Sequence, residues 1–291
     1  ALSFLVFRKN FPPLKAAGVS LFHSVASFNN SGFDILGGGQ NLIPYQDDIL
    51  LNLVTCALVI FGGIGFLVIR EVIAKRFRWK KLSMHAKVVL FMSLVLTAAG
   101  TVLLKLTEDI TWMGAFFTSV SARTAGFSTF PLGSFSGAGL LTVIVLMVIG
   151  ASPGSTGGGI KTTTCYVLFE GIRSSATNTS EKAFRYAVPA DAFRKAAVIT
   201  LLAIGIVLSG TYILVILEPG VPFLDALFEM SSAFGTAGLS TGISAGLCDA
   251  AKILTILIMF IGRLGPLTIA SLWYFTKGER VSYPEGNIAI G

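Results

Sequence analysis

Charge is scarce in this chain. Asp, Glu, Lys and Arg make up 13% of its residues, about half the share of an average soluble domain. Hydrophobic residues make up 53%, and the mean hydropathy is +0.78. That balance excludes an ordinary soluble enzyme or binding module and indicates a polytopic membrane protein. Cysteine is scarce as well. Cys56, Cys165 and Cys248 show no metal-ligand spacing, which argues against a disulfide scaffold or a metal site and for buried free thiols. Only His23 and His85 are available as histidines, so imidazole chemistry has little to draw on. Acidic residues are missing from the middle of every apolar run, which removes the usual carrier for proton coupling. The formal charge of +7 comes from basic residues clustered at the ends of apolar segments. It points to a membrane surface and not to nucleic acid.

What the sequence has in plenty is glycine in a repeated setting. Three stretches follow one pattern: Phe22 to Phe33, Phe116 to Phe127 and Phe228 to Leu239. In each, a Phe lies ten residues before a Gly, namely Gly32, Gly126 or Gly238. Small residues crowd the positions between, and an apolar residue follows.

A bilayer span needs about 20 apolar residues. Ile49–Ile69, Ala196–Leu217 and Ile253–Phe275 meet that length, and Val88–Leu104 comes close. Segment 137–150 is apolar until the run from Ala151 to Gly159 interrupts it. Residues 1–7 read as the tail of a further span. Segments 18–28, 111–122 and 222–234 are too short to cross and fit re-entrant half-helices. The unit is therefore span, half-helix, glycine loop, span. The expected units are 1–73 with a truncated first span, 88–171 with its second span broken at 150–159, and 196–275, followed by a tail over 276–291. The filter glycines lie 94 and 112 residues apart, a long-period repeat.

Charge orients the units. Arg70, Lys75, Arg76, Arg78, Lys80, Lys81 and Lys87 are expected in one inter-span loop, and Arg173, Lys182, Arg185, Arg194 and Lys195 in the next. The positive-inside rule places these loops in the cytoplasm. The glycine-loop side carries acids, including Asp34, Asp48, Glu108, Glu218 and Glu229, and faces outward.

Non-helical backbone at membrane depth is tolerated only where it is buried or lines a wet cavity. Carbonyls there can replace the hydration shell of an alkali cation. Glycine permits the required backbone angles. Each half-helix would aim its negative C-terminal end at the ion. Three copies in one context favour an ion pore over simple close helix packing.

The stretches Ser121–Thr129 and Gly150–Thr162 closely resemble the Trk/Ktr/HKT superfamily of potassium transporters, and Tyr283–Gly291 resembles its Ktr branch. The resemblance covers essentially the whole chain. It implies an all-α membrane protein with four such units around one pore, each supplying a filter glycine. Only three units stand here, so the first is expected to be missing. Filter carbonyls, carried over residue by residue, would come from Asn30, Ser31 and Gly32, from Thr124, Ala125 and Gly126, and from Thr236, Ala237 and Gly238. The transported ion would be K+. Family members with Ser at the first filter position favour Na+, and that position has no counterpart among these three. The resemblance also implies a homodimer in the bacterial cytoplasmic membrane. A cytosolic nucleotide-binding ring would regulate it, docked on loops 70–87 and 171–195. Nucleotide would act only through that partner.

The run Ser152, Pro153, Gly154, Ser155, Thr156, Gly157, Gly158 and Gly159 cannot stay helical, since each Gly costs about 1 kcal/mol and Pro about 3 kcal/mol in a helix interior. Span arithmetic puts it beneath the second filter glycine. A flexible loop there would obstruct the ion path and move aside, and the resemblance implies the same intramembrane gate, with Lys161 following it. Arg263 is expected ten residues inside the last span. A charge at that depth must face the protein interior, where it limits cation occupancy or holds the gate loop by its carbonyls. Arg123, three residues before Gly126, is a candidate support behind the filter.

Two motif look-alikes carry no chemistry. Gly150-Ala-Ser152-Pro-Gly154 matches G-x-S-x-G but has no partner histidine nearby. Gly154 to Thr162 nearly matches a P-loop, but Ile160 separates glycine from lysine. A sodium- or proton-coupled secondary transporter is the competing class. It would show inverted repeats, whereas these units share one orientation.

Overall fold

The computed structural model describes residues 2–37, 40–180, 182–189, 191–265 and 268. The remainder of the expected last span and the 276–291 tail, including Tyr283–Gly291, lie outside the described residues. Eleven α-helices and one short hairpin make up the described chain.

The first unit comprises α1 (Leu2–Phe7), the half-helix α2 (Pro13–Phe28), α3 (Ile49–Ile64) and α4 (Phe66–Ala74). The second comprises α5 (Met84–Thr107), the half-helix α6 (Trp112–Ala122), α7 (Gly137–Val148) and α8 (Thr162–Thr177). A hairpin, β1 (Lys182–Ala183) with β2 (Tyr186–Ala187), leads to the third: α9 (Ala192–Leu217), the half-helix α10 (Phe223–Gly235) and α11 (Asp249–Leu264). Three apolar cores are centred on the three units and run into one another, Phe117 and Phe127 joining the first and Phe228 and Leu239 the second. Phe7, Val19, Leu51 and Cys56 pack in the first, Leu104, Ala115 and Val143 in the second, and Val207, Met230 and Ile258 in the third.

Two helices, α5 and α9, are each long and apolar enough to cross a bilayer. Both run past the expected spans, because Ser83 caps α5 with its hydroxyl and α9 starts four residues early. The expected single span Ile49–Ile69 is corrected. It is two helices, α3 and α4, bent by 96° at Gly65. Gly65 has φ +93° and ψ 137°, a conformation that no helix contains and that only glycine adopts readily. The apolar run continues through the bend, so hydropathy alone conceals it. The basic loop is corrected with it: Arg70 lies on α4, and Lys87 is buried in the first turn of α5.

The acidic ends of the second and third units are closed in one way. Glu108, just after α5, accepts from the Ser136 amide (3.0 Å) and hydroxyl (2.6 Å) at the start of α7. Glu218, just after α9, accepts from the Cys248 amide (2.6 Å) at the start of α11. That amide holds the Glu218 carboxyl below the usual carboxylate range. In the first unit Asp48 caps α3 directly through the Leu51 amide. Acids expected to form an outer rim therefore also cap helix starts. Of the cysteines, Cys56 is buried, Cys165 is half-buried and Cys248 is exposed, all free; the expectation of burial fails for Cys248 because it occupies the helix-start position before α11.

Candidate functional site

The three half-helices end at three similar reversals of the chain. Asn30 and Gly32 have φ of 52° and 67°, Thr124 and Gly126 of 85° and 79°, and Thr236 and Gly238 of 50° and 80°. Between each pair lies Ser31, Ala125 or Ala237, with ordinary negative φ. Alternation in the sign of φ lets neighbouring carbonyls face one way, which a strand does not allow. The middle amide of each triplet is tied back to its own half-helix. Ser31 donates to the Ala26 carbonyl (3.0 Å), Ala125 to Ser121 (2.9 Å) and Ala237 to Ser232 (2.9 Å).

The triplets meet. A β-carbon added at Gly32 would lie 2.6 Å from the Ala125 carbonyl oxygen and 2.9 Å from the Gly126 α-carbon. One added at Gly126 would lie 2.5 Å from the Ala237 carbonyl oxygen and 3.4 Å from the Gly238 α-carbon. No side chain fits where these backbones converge. Side chains secure the loops from behind. Ser121 donates to the Phe127 carbonyl (2.5 Å), and Asn41 donates to Gly126 (3.3 Å). Glu229, inside α10, accepts from Ser240, Ser244 and the Thr241 amide, fastening the third loop to its half-helix.

Arg123 is buried and donates through Nη2 to Thr97 on α5 (2.9 Å). Its Nε has no partner among the described residues. It borders a cavity of about 10 Å³ together with Gly63, Ser93 and Ala151, room for one water molecule. It therefore stands behind the second triplet and beside the start of the broken span.

That broken span runs directly beneath the triplets. α7 stops at Val148, a lone bridge pairs Ile149 with Ile160, and α8 restarts at Thr162. A β-carbon at Gly157 would lie 2.2 Å from the Thr124 hydroxyl, and one at Gly158 2.4 Å from the Thr236 hydroxyl. The loop is clasped on two sides. On one, Gly63 accepts from the Ser152 amide (3.1 Å), Gly62 accepts from Thr156 (3.4 Å), and Phe66 donates to Gly154 (3.2 Å) across the bend of α3 and α4. On the other, Arg263 donates through Nη1 to the Thr156 carbonyl (2.5 Å). Lys161 closes the loop on itself by donating to Gly157 (2.7 Å).

Arg263 lies near the end of α11. α11 starts at Asp249, so Arg263 is its penultimate residue, about 21 Å along the axis. It is exposed in this chain. Sequence reasoning missed the part played by Gly62, Gly63, Gly65 and Phe66. The only signal was the GGIG run itself, which reads equally well as helix packing. Ser152 of the hydrolase look-alike is buried against the Thr162 hydroxyl (3.0 Å), while His23 pairs with Thr55 elsewhere.

Comparison with known proteins agrees with this architecture. The sequence profile of TrkH, described as a cation transport protein, matches residues 13–108 and 79–276. The chain is 36% identical to the Ktr system potassium uptake protein B of Bacillus subtilis (strain 168), over 94% of this chain and 63% of that protein. It is 35% identical to the protein of the same name from Vibrio alginolyticus, over 94% and 62%. It is 33% identical to the potassium/sodium uptake protein NtpJ of Enterococcus hirae, over 99% and 67%. The chain thus spans about two thirds or less of the length of these relatives. The crystal structure of the potassium transporter TrkH from Vibrio parahaemolyticus superimposes with a TM-score of 0.74 at 19% identity, over 94% of this chain and 61% of that one, which shows the shared fold. This multi-pass membrane chain belongs to the TrkH family of cation transport proteins, a family of transporters and not of enzymes.

Proposed function

We propose that this protein takes up potassium across the plasma membrane through a filter to which the three glycine triplets contribute. The observation that carries the reading is their convergence: three left-handed glycine turns, each at the C-terminal end of a half-helix, meet at carbonyl distance above a broken span. Carbonyls of Asn30, Ser31 and Gly32, of Thr124, Ala125 and Gly126, and of Thr236, Ala237 and Gly238 replace the water around K+. The negative ends of α2, α6 and α10 add to the attraction for a cation. In this proposal the units 1–73, 88–171 and 196–275 are three of four that surround one pore.

Residues 152–159 with Lys161 are the gate. The loop closes the path under Thr124 and Thr236 and opens by leaving the clasp. Arg263 is the charged arm of that clasp. Control by a cytosolic nucleotide-binding subunit and assembly as a homodimer belong to the same reading. They are supported by the likeness to Ktr system proteins and by the basic segment between the second and third units. Because one relative is named for potassium and sodium, Na+ is included as a candidate second ion.

Flux into liposomes with K+, Rb+ and Na+ tests the filter. The expected order is K+ and Rb+ well above Na+, driven by the gradient alone. Uptake that requires a second ion gradient would favour the coupled transporter instead. Deleting residues 152–158 tests the gate. Flux should rise in a protein that still elutes as a folded species, and unchanged or reduced flux would overturn the gate.

A further inference from the structure

The elbow after α3 has a second face that the gate does not use. α4 leaves α3 at 96°, so if α3 crosses the bilayer, α4 lies close to the membrane plane. Its inner side is anchored. Val68 is buried, and Glu71 accepts from the Ser83 amide and hydroxyl, each at 2.7 Å, and from Lys75. Its other side exposes Phe66, Leu67 and Ile73, and the turn beyond exposes Phe77 and Trp79.

Between α4 and the adjoining ends of α3 and α5 runs an apolar groove of about 510 Å³, lined by Phe61, Ile64, Ile69, Val72, Phe77 and Leu82. Its rim is basic. Residues 70–81 hold six Lys and Arg and one acid, Glu71, whose charge is taken up by Lys75 at 2.5 Å. Arg70, Arg76, Arg78, Lys80 and Lys81 remain exposed, each next in sequence to a lining residue or one removed from it. Apolar and aromatic side chains beside a single-sign basic cluster, on a helix lying in the membrane plane, are the pattern of a surface-seeking segment that selects anionic lipid. Trp79 lines the groove and is itself exposed, as an indole at a membrane interface would be.

We propose that this elbow binds an anionic phospholipid from the leaflet on the basic side of the membrane. One acyl chain fills the groove, and the phosphate is held by Arg76, Arg78, Lys80 and Lys81. A free phosphate or a nucleotide would satisfy the rim and leave the groove empty. A zwitterionic lipid would fill the groove without answering the excess charge.

The test uses Trp79 as the reporter. The chain has three tryptophans, and Trp112→Phe with Trp273→Phe leaves Trp79 alone. The protein is reconstituted in phosphatidylcholine vesicles that carry a small fixed fraction of brominated phosphatidylglycerol or, in parallel, brominated phosphatidylcholine. Quenching by the anionic lipid should exceed quenching by the zwitterionic one by about three-fold or more at equal fraction. The ratio should fall to about one when Arg76, Arg78, Lys80 and Lys81 are all changed to Gln. If that variant does not fold, Lys80→Gln with Lys81→Gln should lower the ratio part of the way. Equal quenching in the parent, or a ratio that the Gln variants leave unchanged, would overturn the site. So would a Trp79 that neither lipid quenches, because protein would then cover the groove, whether a second copy or a cytosolic partner.

Discussion

α3 and α11 end alike except at a single position. Each has 16 residues, and each ends on a glycine with nearly the same backbone: Gly65 at φ 93°, ψ 137° and Gly265 at φ 91°, ψ 136°. Three residues earlier, each presses a glycine onto the end of the preceding half-helix. A β-carbon at Gly62 would lie 2.0 Å from the Phe28 carbonyl oxygen, and one at Gly262 1.9 Å from that of Phe234. The next residue differs. Gly63 offers only its backbone, and its carbonyl accepts the Ser152 amide. Arg263 offers a long charged side chain, which reaches the Thr156 carbonyl. The loop beneath the triplets is thus held rigidly on one side and by a detachable arm on the other. A backbone contact moves only with its helix, whereas a guanidinium leaves by rotating its own bonds. Under the gate proposal, release starts on the α11 side.

The largest effect should come from breaking what the two helices share. Gly62→Val and Gly262→Val each drive a side chain into a backbone carbonyl. Overpacking of this kind costs about 1–3 kcal/mol and often more where backbone must move. Both variants should lose most of their monodisperse yield in size-exclusion chromatography. If only one does, the helices are not equivalent.

Gly65→Ala comes next. It places a β-carbon in a conformation reserved for glycine, at a cost of about 1–3 kcal/mol, and 2.6 Å from the Pro153 carbonyl oxygen. A melting temperature lowered by several degrees is expected, with faster basal flux, because the rigid side of the clasp is disturbed. An unchanged melting temperature would mean that the bend is not maintained in the bilayer.

Arg263→Ala addresses the difference itself. The arm is exposed, so removing it should barely change melting while flux rises severalfold, with Arg263→Lys in between. Wild-type rate and affinity in the Ala variant would remove the arm from the mechanism. The smallest effect concerns Glu218. Its lowered native pKa means that it stabilises the fold at pH values above the ordinary glutamate range and loses that contribution as the pH falls through the native value. Glu218→Gln should lower the melting temperature slightly at neutral pH, and the two curves should converge as the pH falls through the acid range where the parent has lost the contribution as well.

The glycine triplets, the half-helices and the broken span were legible because composition alone marks them: small residues at fixed spacing, apolar runs too short to cross, and a Gly-Pro run no helix tolerates. The bend at Gly65 was not, because Phe66–Ile69 continue the apolar run and a single glycine is ordinary inside membrane helices. The clasp was hidden for another reason. Arg263 and Thr156 lie 107 residues apart, and nothing local to either names the other. The start of α11 was hidden as well, because it is set by the Cys248–Glu218 pairing, which hydropathy does not register.

The Glu108–Ser136 and Glu218–Cys248 fastenings bear on how such a chain is made. Each joins the two long arms of one unit across 28 or 30 residues, a short loop with a low closure cost. A unit of this kind needs nothing from later sequence to tie its acidic end. During synthesis, each can be tied as its second arm leaves the ribosome, before the next unit arrives to complete the core they share.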